Sequence, residues 1–209
     1  MNKEISIPKP LLRALKEDRL VIFVGAGLSI SAGLPSWKDL VLRILDNDCI
    51  DKSEAYKISL NENIIDELEV LNKLSKDSKN ISIIYDVITE NIKNDIDSNI
   101  HKLIGKVSKK IITTNYDKLL EFNNNIKYVI KYNVPYDVGK FNRGELEEYI
   151  YKIHGDIDNI NSCMVFSKDY ERLYETENAS KLNLVSILAN KVCLFVGFSF
   201  KDPYLNLLF

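Results

Sequence analysis

Residues 20–24, Leu-Val-Ile-Phe-Val, form an unbroken apolar run of strand length. Such a run predicts a parallel strand covered on both faces, since a half-solvated strand would alternate polar and apolar positions. Further short runs predict strands at 109–114, 128–131, 149–153, 164–167 and 192–196. Helical patterns separate them. Leucines at 11, 12 and 15 with charges between them predict an amphipathic helix over 8–18, and 40–45, 118–122, 168–175 and 179–190 read as helices too. In the last of these the apolar stripe is Leu182, Val185, Ile187 and Leu188. A loop is expected through Pro135 and Gly139.

Between about 46 and 107 the pattern changes. Ile64, Ile65, Leu68, Leu71 and Leu74, then Ile81, Ile84, Tyr85, Ile88 and Ile92, recur at helical spacing among Asn, Lys, Asp and Ser. This predicts an insertion of three or four helices over one end of the sheet. The fold class is therefore α/β: a Rossmann-like parallel sheet with helices on both faces and a helical insertion after the first βα unit. At 209 residues the chain suits one well-buried domain, 1–209, and is short for two. Asp202-Pro203 reads as a helix cap with proline at the first helical position, and 204–209 begins an apolar helix with nothing after it. That ending predicts a native protein that continues, or a domain cut from a longer one.

Charge adds mainly exclusions. The formal net charge of −2 gives no general attraction to nucleic acid or anionic membrane. Residues 1–10 lack the apolar core of a signal peptide, and no run approaches the ~18 apolar residues of a membrane span. A soluble, cytoplasmic protein is expected. Cys49, Cys163 and Cys193 lie far apart with no C-x-x-C pair, which argues against a disulfide framework and a structural zinc site. They are expected as small core residues.

The chemistry-bearing residues stand at strand ends. Gly25 and Gly27 bracket Ala26 after the first strand, in a turn suited to a ligand lying against the backbone, with Ser29 adding a hydroxyl. Free N–H groups at a helix start fit a phosphate; a tight turn without ligand fits the same residues. A dehydrogenase would place an acidic residue on a second strand about 20 residues on. Gly33-Leu34-Pro35-Ser36-Trp37-Lys38-Asp39 follows instead, which argues against hydride transfer. Asn115 and Asp117 end the next strand, where open α/β sheets place ligand sites, and both types also serve as turn and cap residues. His154, in His154-Gly155-Asp156, closes another strand and suits either a cleft or a structural hydrogen bond. The second histidine, His101, reads as ordinary helix surface. Gly197-Phe198-Ser199 ends the last strand.

These four strand ends, in this order and spacing, resemble the sirtuin-like family from residue 19 to 209. They are most similar to its bacterial non-deacetylase branch in anti-phage defence systems such as Thoeris and the short-Argonaute-associated systems. The resemblance implies that Gly25, Ala26, Gly27 and Ser29 hold the diphosphate of NAD, and that 33–35, with Leu34, Pro35 and Trp37, form a cofactor loop over the nicotinamide ribose. It implies that Asn115 places a water beside that ribose, Asp117 bonds the nicotinamide carboxamide, and His154 is the essential histidine. Gly197, Phe198 and Ser199 would line the adenosine side. The chain departs from deacylase sirtuins in two places. Ser36-Trp37-Lys38 replaces their Asp-Phe-Arg, and 158–168 carries Cys163 alone where they carry two C-x-x-C pairs. No metal is therefore expected, and the last strands of the fold would lie beyond Phe209.

The implied activity is NAD hydrolysis to nicotinamide and ADP-ribose. Breaking that bond leaves a flat, cationic ribose, so a catalyst must position the dinucleotide, stabilise the departing amide and admit one nucleophile. Histidine, with an ordinary pKa near 6.5, can accept a proton at cytoplasmic pH. A sensor or assembly module that binds NAD or ADP-ribose without catalysis is the alternative, and protein deacylation or ADP-ribosyl transfer a weaker one. The resemblance also implies a homo-oligomer with a C-terminal sensor domain or a separate activating partner. Neither nucleic acid nor membrane is an expected direct partner.

Overall fold

The computed structural model describes residues 6–92, 95–174 and 178–200. Helix α1 (Lys9–Lys16) leads into β1 (Leu20–Val24), α2 (Ala26–Ser31) and α3 (Trp37–Leu45). The insertion follows as α4 (Ser53–Asn61), α5 (Glu67–Leu74), α6 (Ser78–Asn91) and α7 (Asn99–Val107). The chain then runs β2 (Lys110–Thr113), α8 (Leu119–Asn123), β3 (Val129–Lys131), α9 (Pro135–Asn142) and β4 (Tyr149–Lys152). After a 3₁₀ turn at Ile160–Ser162 come α10 (Ser167–Tyr174), α11 (Ala179–Asn190) and β5 (Val192–Val196). The helix expected over 202–209 lies outside the described residues.

All pairings in the sheet are parallel, in the order β3-β4-β2-β1-β5. Every residue of β1 is buried, as its unbroken apolar run requires of a strand covered on both faces. On one face Val21, Phe23, Ile112 and Tyr151 pack with Leu173, Leu184 and Ile187 of α10 and α11. On the other, Ile22, Val24, Ile111 and Ile150 pack with Leu28, Ile104 and Leu120 of α2, α7 and α8. A separate core gathers Val41, Ile44, Val70, Leu71, Ile84 and Ile88 with Val165 and Phe166. It joins the insertion to the segment after β4.

Register positions the site. Val24 stands opposite Thr113 and Val196, and Thr113 opposite Lys152. The chain therefore leaves β1, β2, β4 and β5 at one level, which sets the four glycine-bearing or polar strand ends along a single edge. β1 has β2 on one side and β5 on the other, so the strand order reverses there; open α/β sheets bind ligands at such switch points.

The structure corrects several expectations. Residues 164–167 form no strand: Val165 and Phe166 donate their N–H groups to Asp169 Oδ2, which starts α10 in place of a sheet ladder. The expected loop at 135–139 is the helix α9, with Pro135 at its first turn, where a missing N–H costs nothing. In α11, Leu182 and Val185 are exposed while Leu184 and Ile187 are buried. Cys49 is exposed, whereas Cys163 is buried, its thiol pushed up to about 12 by desolvation. His101, expected on the surface, is 0% exposed; its Nδ1 lies 2.8 Å from Ser98 Oγ.

Candidate active site

β1 ends at Gly25, and α2 begins directly at Ala26. Gly25 N–H donates to Val196 O at 3.0 Å and Gly27 N–H to Gly197 O at 2.8 Å, so the first and last strand ends are stitched together. Gly197 has φ +64°, and a Cβ there would stand 2.4 Å from Leu28 N. Glycine is needed at 197 for both conformation and space. The N–H of Gly27, expected to face a ligand, is thus engaged by the neighbouring turn. Ala26 and Gly27 remain exposed at the sheet edge.

Ser29 and the β2 end meet beside this turn. Thr113 donates its hydroxyl to Val24 O at 3.0 Å and accepts Asn115 N–H at 3.0 Å, which folds the chain back as it leaves β2. Asn115 Nδ2 then reaches Gly25 O at 3.2 Å and Ser29 Oγ at 2.9 Å. Ser29 Oγ donates to Asp117 Oδ2 at 2.8 Å, and Asp117 Oδ1 accepts Leu119 N–H at 3.0 Å. Asp117, one residue before the N-cap Lys118, therefore holds the first N–H of α8 and also belongs to this cluster. Because Gly25 O can only accept, the amide orientation of Asn115 is fixed with its NH₂ toward β1. Its Oδ1 is buried and has no hydrogen-bond partner among the described residues.

His154 stands one strand further out on the same edge. Its Nε2 lies 2.5 Å from Tyr174 Oη, and its ring meets Tyr170 edge-on at 5.3 Å between centroids. Gly155 (φ +100°) turns the chain so tightly against Ser162 that a Cβ would come 2.3 Å from its carbonyl oxygen. The imidazole is thus oriented from the α10 side of the sheet, and the Asn115 cluster from the α2 side. The remaining expected residues are spread around the rim. Leu34 is buried, its N–H bonded to Ser29 O at 3.1 Å, and Pro35 is half-buried. Trp37 opens α3 behind a Ser36–Asp39 capping box and meets Tyr116 edge-on at 6.2 Å. Phe198 turns its ring onto Phe23, at 5.4 Å, so it belongs to the core more than to the rim, and Ser199 is exposed.

Sequence reasoning missed Thr113, Tyr174 and Lys152. Lys152, at the end of β4, is 0% exposed. Burial opposes its charge, but Glu121 and Asp156 beside it hold its pKa above the ordinary value. Asp156 falls below the carboxylate norm although burial works against it, because Lys152 and Lys131 stand nearby. The hollow of about 880 Å³ at the opposite edge, where β1, β2 and β4 begin, is no competitor. Its lysines are matched by as many acids in the lining, with Lys110 paired to Asp18 and Lys109 to Glu148 at 2.8 Å. Among the described residues no cluster of three or more His, Cys, Asp or Glu could hold a metal, and no helix is long and apolar enough to cross a membrane.

The sequence profile of the SIR2-like domain matches residues 109–209, which include the β2, β4 and β5 strand ends. Over those residues the chain is similar to a SIR2-like domain. The likeness also extends over the first βα unit and the insertion. Proteins named NAD(+) hydrolase ThsA from Cytobacillus dafuensis and Enterococcus faecium are 30% and 31% identical over 98% and 99% of this chain, covering 40% and 42% of their own lengths. One of the same name from Bacillus cereus (strain MSX-D12) is 30% identical over 95% of this chain and 40% of its own length. The chain thus spans about two fifths of the length of the curated relatives it matches.

Proposed function

We propose that this chain hydrolyses NAD to nicotinamide and ADP-ribose, as the effector part of an anti-phage defence protein. The observation that carries the proposal is Asn115 Oδ1, a buried acceptor with no partner among the described residues, at the edge where the strand ends converge. An unmade hydrogen bond at a buried carbonyl costs about 1–3 kcal/mol, a cost expected to persist where a ligand or water completes it. The relatives named NAD(+) hydrolase supply the ligand class.

In this mechanism the diphosphate lies along the exposed Ala26-Gly27 backbone with Ser29 beneath it, far from the breaking bond, and contributes positioning. Leu34, Pro35 and Trp37 cover the nicotinamide ribose, and Gly197 and Ser199 border the adenosine. Asp117 fixes the carboxamide. The bond from ribose C1′ to the pyridinium nitrogen breaks with its electron pair going to nicotinamide, which leaves as a neutral amide. Asn115 Oδ1 accepts a hydrogen bond from the attacking water, whose oxygen bonds to C1′; the one proton that this water loses goes to His154, which faces the ribose hydroxyls. The domain is further proposed to work in the cytoplasm as a homo-oligomer, held inactive until a sensor region or a separate partner is triggered. The greater length of the relatives supports that additional region.

The test is full-length native protein incubated with NAD, with its genomic neighbours present and absent, followed by chromatography. Nicotinamide and ADP-ribose in equal amounts are expected. A nucleotide-binding sensor would retain NAD unchanged under every condition, and a deacylase would release product only with an acylated peptide.

A further inference from the structure

A lysine that ends a central strand is an unusual residue to find fully buried, because an ammonium removed from water must be matched by charge and by acceptors. Lys152 Nζ lies 2.7 Å from Asp117 O, 3.1 Å from Tyr116 O, 3.0 Å from Glu121 Oε1 and 3.0 Å from Asp156 Oδ2. Its three hydrogens go to the two carbonyls and to Glu121 Oε1, and Asp156 Oδ2 stands beside the ammonium as an ion-pair partner. The two main-chain carbonyls come immediately after Asn115, and the Asp156 carboxylate is two residues after His154. Asp156 is itself 1% exposed, with Lys131 Nζ 3.3 Å from its other oxygen. One ammonium therefore touches both turns that carry the site, although their residues lie on different strands.

We propose that Lys152 is a positioning residue: it clamps the turn at 115–117 to the turn at 154–156, so that Asn115 and His154 keep a fixed separation across the ribose. The proposal rests on the NAD-cleaving reading of the site. Lys152 touches no reacting atom and acts through the two turns. Glu121, in α8, neutralises the ammonium from the Asn115 side of the clamp, and Asp156 ties it to the histidine side. These two acids make the idea testable, since neutralising either one removes the same charge beside the same lysine.

The experiment compares full-length wild type, Asp156→Asn, Glu121→Gln and Lys152→Met by steady-state NAD hydrolysis, thermal melting, and hydrogen exchange of the two turns. Asp156→Asn is expected to lower kcat on the order of 10-fold to 100-fold, the scale of a small misplacement of reacting groups, with KM within about threefold of wild type. Glu121→Gln should lose less kcat. Exchange should quicken in both turns of Asp156→Asn, and chiefly at 115–119 in Glu121→Gln. Lys152→Met should lose most activity if it folds; if it does not, the two acid variants decide. Equal kcat losses in the two acid variants, or exchange at 154–158 unchanged in Asp156→Asn, would overturn the clamp. An inert wild type would instead count against NAD cleavage, and the exchange comparison would still decide whether Lys152 couples the turns.

Discussion

Ser29 donates its hydroxyl hydrogen to Asp117 Oδ2 across 2.8 Å, although 88 positions separate the two residues in the chain. Ser29 Oγ in turn accepts from Asn115 Nδ2 at 2.9 Å, so one small side chain orients both polar groups of the β2 end. Ser29→Ala leaves a buried carboxylate and a buried amide each short of a partner. A loss of about 1–3 kcal/mol of stability is expected, together with a drop of roughly 10-fold or more in kcat/KM for NAD. Urea unfolding and nicotinamide release measure the two. A variant as stable and as active as wild type would show that the hydroxyl orients nothing.

Gly197 closes the seam between the first and last strand ends. Gly197→Ala would bring a methyl group to 2.4 Å from Leu28 N, in a backbone conformation of φ +64°. Overpacking against rigid backbone and the left-handed conformation together should cost at least about 2 kcal/mol. Thermal melting is the measurement, and an unchanged midpoint would mean that the seam yields more readily than its geometry implies.

His101 carries a pH dependence unrelated to catalysis. Desolvation pushes its pKa below the ordinary 6.5, against an opposing pull from Asp117. The unfolded chain therefore takes up the proton first as the solution is acidified. The stability that this buried neutral ring contributes is complete above about pH 7.5, is lost as pH falls through about 6.5 toward the depressed folded value, and levels off below it. His101→Gln should flatten that part of the profile of urea midpoints between about pH 8 and pH 5. An identical slope in the variant would place the acid sensitivity elsewhere.

Much of this arrangement is legible in the sequence because it depends on local pattern. An unbroken apolar run announces β1, and the strand ends announce themselves through glycine or a sudden polar residue at 25, 115, 154 and 197. The strand order is not local, and neither is the seam between Gly27 and Gly197. Residues 164–167 look like a strand by composition, and only the carboxylate of Asp169, which captures the N–H groups of Val165 and Phe166, explains why they are not. His101 sits among polar neighbours and reads as surface because α8, which buries it, follows later in the chain. Lys152 is the least visible of all: a lysine at a strand end reads as solvated until Glu121 and Asp156 are seen around it.

The strand ends matter together or not at all, and Asn115 is where that can be measured. In the triggered full-length protein, Asn115→Ala is to be compared with wild type for NAD affinity and for nicotinamide release, with His154→Ala beside it. The expected result is NAD bound by Asn115→Ala within about threefold of the wild-type affinity and release reduced by about 10²-fold or more in both variants. Nicotinamide release by Asn115→Ala at the wild-type rate would contradict the assignment of the unpartnered Oδ1 to the reacting water, and with it the site.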